Sequence, residues 1–432
     1  GFNFIAIPAA AKVIMSGDAS YSYYDISSIE GNIIQTSGIS GFNGGLDFTY
    51  FLRKSDEFKF GLEAITYRTD FDVDAPLGRS VAQVENTTEL GTYARYRINT
   101  NRLIAEPSFR IHYYGSQSFI SFEPRLGLKY NVNDWLRLKA SGGWYSQNLM
   151  AGNSDRDVVN LFYGFLSGVS LGDLPATFRG EELTNSLQLA QHAVVGFEVE
   201  LSKNLSLNVE AYLKNFEQIT NLNRNKIYDE NSTAAQGKPD ILVKDFIIEK
   251  GVAQGVDFLL KYTTKDLYVW MAYSLGEITR DDGIREYFPN FDRRHNLNLV
   301  TNYNFGAEKS WQASLRYNFG TGFPFTPTQL FYSEQPFTTD RGTASVDYDY
   351  TTANGQPGVL YGELNTRRLP NYHRVDVSLT RTFNFGEHQV LETSIGATNI
   401  LNYQNIFYYD REANKRVDQL PIMPTISLAY SF

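Results

Sequence analysis

The residues best placed to do chemistry are arginines that alternate with apolar neighbours: Arg95, Arg97, Arg125, Arg316 and Arg374. Glu198, Glu200, Glu210 and Asp376 hold equivalent places in their own runs. At a period of two, such side chains leave an extended strand on the face opposite the apolar ones. A guanidinium presents a planar fork of donors that fits a carboxylate, so the set could grip an anionic ligand. The same charges could instead pair with one another and keep a wet surface wet. A second group lies in the stretch 321–370, rich in Phe323, Phe325, Phe331, Tyr332, Phe337, Tyr348, Tyr350 and Tyr361. A connection this long is functional or disordered more often than not. Its aromatics suit stacking on sugars, catechols or corrin rings, and equally suit packing loops onto one another.

Other chemistry finds no support. The histidines, His112, His192, His295, His373 and His388, show no metal-binding spacing. Asp281, Asp282 and Gly283 open like a calcium loop, but the twelve-residue ligand pattern does not follow, so a solvated turn is expected. Asp155 and Asp157, flanking Arg156, are read the same way. No nucleophile elbow and no phosphate-cradling glycine loop occurs, and cysteine is absent, which removes thiolate catalysis and disulfides together. The chain is read as a non-enzyme that needs no cofactor.

The elements that must carry these side chains are strands. Leu205, Leu207, Val209, Ala211 and Leu213 alternate with Ser206, Asn208, Glu210, Tyr212 and Lys214. Trp311, Ala313, Leu315, Tyr317 and Phe319 alternate with Gln312, Ser314, Arg316 and Asn318, and the pattern recurs around Val375, Val377 and Leu379. The chain ends on Ile426, Leu428, Tyr430 and Phe432 in the same rhythm. A terminal strand this greasy would aggregate in water but is tolerable against lipid. Alternation alone fits a soluble sandwich as well as a membrane barrel. Connection lengths separate the two. Short polar turns fall at 54–57, 99–102, 131–134, 202–204, 263–266, 306–309 and 386–388, and long excursions at 149–190, 220–250 and 321–370 occupy alternate connections. Short turns at one end and long loops at the other are the habit of outer-membrane barrels.

Counting alternating runs gives about sixteen strands of about twelve residues, long enough to cross a bilayer at a tilt. The first lies near Val13–Tyr24, and Gly1–Ala11 reads as the tail of an earlier strand plus a turn. Both ends of the series fall on the short-turn, periplasmic side. Arg381 lies on the apolar side of its strand and is expected near the short-turn rim with Phe383 and Phe385. The expected fold is all-β, a single antiparallel transmembrane up-and-down barrel over 1–432. Composition agrees. The 432 residues carry a net charge of -9 and a mean hydropathy of -0.33 without the apolar run of about eighteen residues that a membrane helix requires. Tyrosine (29) and phenylalanine (30) are abundant enough to line two membrane–water interfaces. The acidic balance argues against nucleic acid as a partner.

Several segments resemble the barrel of TonB-dependent outer-membrane receptors. They are SFISFEPRLGLKYNVNDWLRLKASGGWYSQ from Ser118 to Gln147, FPNFDRRHNLNLVTNYNF from Phe288 to Phe305, the run Trp311 to Thr328, and ATNILNY from Ala397 to Tyr403. The terminal Phe432 resembles the signal by which such barrels are recognised for assembly. The resemblance implies a barrel of twenty-two strands holding an N-terminal plug, and this chain would supply its C-terminal two-thirds, without plug or TonB-binding box. It further implies residence in the outer membrane of a Gram-negative bacterium, among lipid and lipopolysaccharide, with the TonB complex acting through a plug. Import of a ferric siderophore, a cobalamin-like compound or an oligosaccharide would follow. A surface lipoprotein partner is left open. Arg125, Arg316, Arg374, Phe325, Tyr332 and Tyr348 are the expected ligand-binding residues, on the lumen wall and the long loops. The rival expectation is a passive diffusion porin of sixteen strands.

Overall fold

In the computed structural model the described residues are 1–8, 12–30, 33–53, 55–73, 81–152, 162–228, 230, 232–334, 356–386, 389–411 and 413–432. One antiparallel sheet dominates. Its wall strands are β1 (Phe2–Ala6), β2 (Val13–Glu30), β3 (Ile33–Phe51), β4 (Glu57–Val73), β5 (Val81–Asn99), β6 (Leu103–Tyr114), β7 (Phe119–Asn131) and β8 (Leu136–Gln147). They continue as β9 (Gln188–Ser202), β10 (Leu205–Leu222), β11 (Phe246–Thr263), β12 (Leu267–Asp281), β13 (His295–Phe305), β14 (Trp311–Gly320), β15 (Tyr372–Phe385), β16 (Gln389–Thr398) and β17 (Met423–Ser431). Each pairs with its neighbours in chain order, from β1–β2 through to β16–β17. The sixteen strands and the preceding strand tail expected from the alternation are all present. Among the described residues β1 pairs only with β2 and β17 only with β16, so the sheet has two free edges.

The apolar faces point outward. Leu62 (60 % exposed), Phe122 (61 %), Leu428 (69 %) and Ile426 (76 %) stand on the outer surface, whereas on the inner one Glu63 of β4 pairs with Arg110 of β6, and Glu123 with Arg125 along β7. In water that outer surface would be an aggregation liability; against acyl chains it is what the solvent demands. At one end the connections are tight. Gly306 and Gly386 take φ of +81° and +82° in two of these turns, a left-handed conformation that costs a side-chain-bearing residue energy. Arg381 pairs with Trp311 at this end, and its guanidinium lies 4.9 Å from the Trp311 ring and 4.5 Å from that of Phe383.

The other end departs from expectation in three ways. Long connections do not occupy alternate positions throughout, since the loop joining β6 and β7 is one short 3-10 turn at Gly115–Gln117. Two further long connections, 282–294 and 399–422, go beyond the three expected. Strand lengths are also uneven, reaching 19 residues in β3 and β5. The reason is an inversion of polarity. High on β4 the outward residues become Arg68, Asp70 and Asp72, while the inward Phe71 is 1 % exposed. These strands run on past the apolar belt into water, and their inner face packs against protein.

What packs there is a cap with its own core. Met150, Phe162, Leu166, Val169, Leu174 and Phe178 from the connection 148–187 bury against Phe71, Phe246 and Ile248. Buried hydroxyls fix it in place: the Ser167 Oγ lies 2.9 Å from Thr69 Oγ1 and 3.2 Å from Thr87 Oγ1, and Phe165 N donates to Ser37 Oγ at 2.8 Å. The acidic pair Asp155 and Asp157 lies outside the described residues.

Candidate functional site

The inner wall is made of two unlike halves. From β3 to β10 it is a ladder of ion pairs between strands one or two places apart. Lys59–Asp47 (3.1 Å), Arg95–Glu57 (3.3 Å), Arg110–Glu63 (2.9 Å), Arg137–Glu198 (2.9 Å) and Lys139–Glu210 (2.6 Å) are its rungs. Across β13, β14 and β15 the inward residues are mainly asparagine, serine and threonine, and the register sets them in rows. Asn302 faces Ser314, which faces Ser378; in the next row Asn304 faces Gln312, which faces Thr380.

At the long-loop end of this second half lies a pocket of about 270 Å³ lined by Arg293, Asn296, Asn298, Arg316, Asn318, Phe319, Tyr372 and Arg374. Strand register brings Asn298, Asn318 and Arg374 into one row, with Arg316 opposite Asp376 in the next. Arg374 Nε donates to both Asp376 oxygens, at 2.9 and 3.0 Å, and the Asn399 amide donates to the same carboxylate at 2.9 Å. Arg316 makes no hydrogen bond or ion pair among the described residues. Three guanidiniums against one carboxylate leave the pocket cationic in a chain whose net charge is -9.

Arg293 comes from the loop just before β13. Its guanidinium carbon lies 4.1 Å from the centre of the Phe323 ring. Its Nε is buried and has no hydrogen-bond partner among the described residues. Burial pushes this guanidinium below the usual arginine range. Gly320 makes the room, since a Cβ there would stand 2.6 Å from the guanidinium carbon and 2.8 Å from Nε. The neighbours of Arg293 are fixed. Asp292 accepts from the Ile278 amide at 2.9 Å and pairs with Arg368, and Arg294 pairs with Glu277 at 2.7 Å. A half-buried, donor-rich cation held by its flanks and left with a free N–H is built to meet an anion from the lumen.

Of the expected ligand residues, Arg316 and Arg374 meet in this pocket and Arg125 does not. Arg125 sits on β7, bonded to Glu123 at 2.6 Å with its guanidinium 4.4 Å from the Tyr145 ring, as part of the ion-paired half. Phe325 is in a two-residue ladder with Arg367 and Arg368, half-buried. Tyr332 is exposed on the hairpin formed by Thr328–Glu334 and Gln356–Tyr361. Tyr348, Tyr350 and Phe337 lie outside the described residues. Arg293 is the residue that strand parity did not nominate, because it precedes the strand; the sequence signal was the DRRH element itself.

The expected solvated turn at Asp281–Gly283 is instead part of a buried network. Asp282 caps its own turn by accepting from the Ile284 and Arg285 amides at 2.9 and 2.8 Å, and pairs with Arg224 at 2.9 Å. Arg224 also reaches Glu249, whose fully buried carboxylate accepts from the Tyr287 hydroxyl at 2.8 Å and Arg280 at 3.4 Å. A carboxylate surrounded by cations has no need of a metal. Four histidines likewise serve as packing groups: His112 stacks on Tyr114, His192 on Tyr145 and His295 on Tyr273, and His373 packs against Tyr403. His388 lies outside the described residues.

No family profile and no curated protein matches the sequence. Solved structures do match. The chain is similar to FpvA of P. aeruginosa, described as bound to heterologous pyoverdines, with 14 % identity and a TM-score of 0.65 over 100 % of this chain and 55 % of that one. It is similar to the siderophore receptor PirA from Acinetobacter baumannii at 11 % identity and a TM-score of 0.61, over 100 % of this chain and 61 % of that one. The ferric citrate transporter FecA in its unliganded form gives 13 % identity and a TM-score of 0.61, over 100 % and 60 %. This chain therefore spans somewhat more than half the length of the structures that it resembles. At such identities the likeness establishes the fold, which is the antiparallel barrel wall expected from the sequence.

Proposed function

We propose, from that receptor-barrel fold, that the chain is the membrane barrel of an outer-membrane receptor that imports a scarce nutrient by gated passage. The ligand is an anionic complex, best a ferric siderophore, captured at the pocket of Arg293, Arg316 and Arg374. The force comes from the TonB complex through a plug domain outside these residues. No bond in the ligand is made or broken. The observation that carries the reading is the match of the whole of this chain to solved receptor and transporter barrels at TM-scores of 0.61 to 0.65. The porin reading asks the first and last strands to close on each other, and β17 pairs only with β16 among the described residues.

The test is uptake of radioactive iron loaded into iron-depleted spent medium of the same cells. Cells lacking the protein should take up far less than cells with it, and an uncoupler that collapses the membrane energy supply should abolish the difference. Uptake that depends on the protein yet survives the uncoupler refutes gated import.

A further inference from the structure

Below the arginine pocket, two consecutive rows of the inner wall from β13 to β16 carry no charge. The upper row runs Asn302, Ser314, Ser378 and Gly396; the lower runs Asn304, Gln312, Thr380 and Ser394. Successive inward residues along a strand are about 6.8 Å apart, so on a strand tilted by about 45° the two rows cover about 10 Å, roughly a third of the bilayer's hydrocarbon depth of about 30 Å. The hydroxyls and amides here bond sideways within the panel. Thr380 Oγ1 donates to Ser394 Oγ at 3.0 Å and Gln312 Nε2 to Asn304 Oδ1 at 3.0 Å, which leaves further lone pairs and N–H groups toward the lumen. The wall from β3 to β10 carries the ladder of ion pairs described above.

We propose that this neutral panel is the track along which the ligand leaves the arginine pocket and descends, while the ion-paired wall stays covered by whatever fills the lumen. The inference rests on the import reading. An anion must be held firmly enough at the mouth to be captured, and then meet contacts weak enough to release it. Serine, threonine and asparagine give such contacts: each offers single, neutral hydrogen bonds that water can replace. The ladder does not. An anion passing Arg95, Arg110 or Arg137 would have to displace a carboxylate already in place or lodge beside it, and the long paired side chains occupy the space that the short ones leave open. A dense set of complementary charges instead suits a surface that docks a folded neighbour in one register.

The absence of cysteine from these 432 residues makes the test direct. Single substitutions Ser314→Cys, Ser378→Cys and Ser394→Cys report on the panel, and Ser108→Cys and Ser141→Cys on the ion-paired wall. A charged, membrane-impermeant maleimide is applied to intact cells carrying the full-length protein, with and without an uncoupler. The track predicts labelling of the panel cysteines at least about tenfold faster than the wall cysteines in energised cells, falling when energy is removed. Equal labelling of both walls, faster labelling of Ser108→Cys and Ser141→Cys, or no labelling of either wall overturns the track. Panel-selective labelling that ignores the uncoupler keeps the track and sinks energy-gated import, so the two readings fail separately.

Discussion

Replacing Glu249 by alanine should loosen the cap at the long-loop mouth while leaving the membrane wall intact. The Glu249 side chain is fully buried and gathers Arg224 at 2.5 Å, Tyr287 at 2.8 Å, Asn221 at 3.3 Å and Arg280 at 3.4 Å. Arg224 is only 9 % exposed, so it cannot turn to water when its partner goes. Removing one member of a buried pair typically costs about 3–5 kcal/mol, mostly as the desolvation of the charge left behind. Arg224 keeps Asp282 at 2.9 Å, which places the expected loss toward the lower end. About 3 kcal/mol is roughly a hundredfold more of the locally open form at 1.36 kcal/mol per decade. The assay is trypsin digestion of intact cells, with cleavage at Lys226, Lys238 and Lys244 followed by mass spectrometry. Where reclosing outpaces cleavage, the rate follows the open population, so cutting should accelerate by roughly that factor. Glu249→Gln keeps the shape and an acceptor for Tyr287, and should fall between. The triple variant Arg224→Met, Glu249→Leu and Asp282→Asn removes both buried pairs without stranding the Asp282 carboxylate, and should recover most of the resistance. A rise below about threefold for Glu249→Ala, or no recovery in the triple variant, refutes the claim that buried charge pairing holds the cap.

Two further outcomes test the wall and the pocket. Leu315→Arg places a charge on the outer face of β14 and should lower unfolding free energy in lipid vesicles by about 2–4 kcal/mol, while Gln312→Arg on the inner face should cost under about 1 kcal/mol. Equal costs would mean that the outer face does not meet lipid. Gly320→Ala should displace the Arg293 guanidinium and raise the half-saturating concentration for iron uptake about tenfold at unchanged maximal rate, a loss of about 1.4 kcal/mol in binding. An unchanged half-saturation would remove Arg293 from ligand capture.

The wall was legible in the sequence because its signal is local and repeated. Each strand sets small or charged residues inward and apolar ones outward, so Leu205 to Lys214 and Trp311 to Phe319 declare their faces without help from the rest of the chain. Strand parity also identified the inward side of Arg125, Arg316 and Arg374. It could not say which would meet, because that depends on register between strands far apart in sequence: Asn318 faces Arg374 across 56 positions. The upper ends of β3–β5 were hidden for a different reason. There the outside is water and the inside is the cap, so Phe71 points in and Asp70 points out, and the rule that works at membrane depth reverses. Arg293 escaped since a loop residue has no parity, and its placement requires the hole at Gly320 and the ring of Phe323, neither of which is near it in sequence.

Loops rather than strands set the shape of the pocket's upper wall, and this has a consequence for how specificity can vary. Arg316 and Arg374 are fixed by the sheet, whose ladder would have to shift for them to move. Arg293 is fixed by side chains: Asp292 ties its segment to the Ile278 amide and to Arg368 on the neighbouring loop, and Arg294 ties it to Glu277. Those ties can be changed by loop substitutions without disturbing a single strand pairing. The sheet therefore supplies a constant pair of cations, while the two loops decide how closely a third approaches and so what size of anion fits between them. Changes in ligand preference should then concentrate in 282–294 and 321–371 and spare the inward residues of β14 and β15. A swap of Arg316 for lysine tests the division, because a point charge loses the forked geometry and should weaken capture of every anion alike.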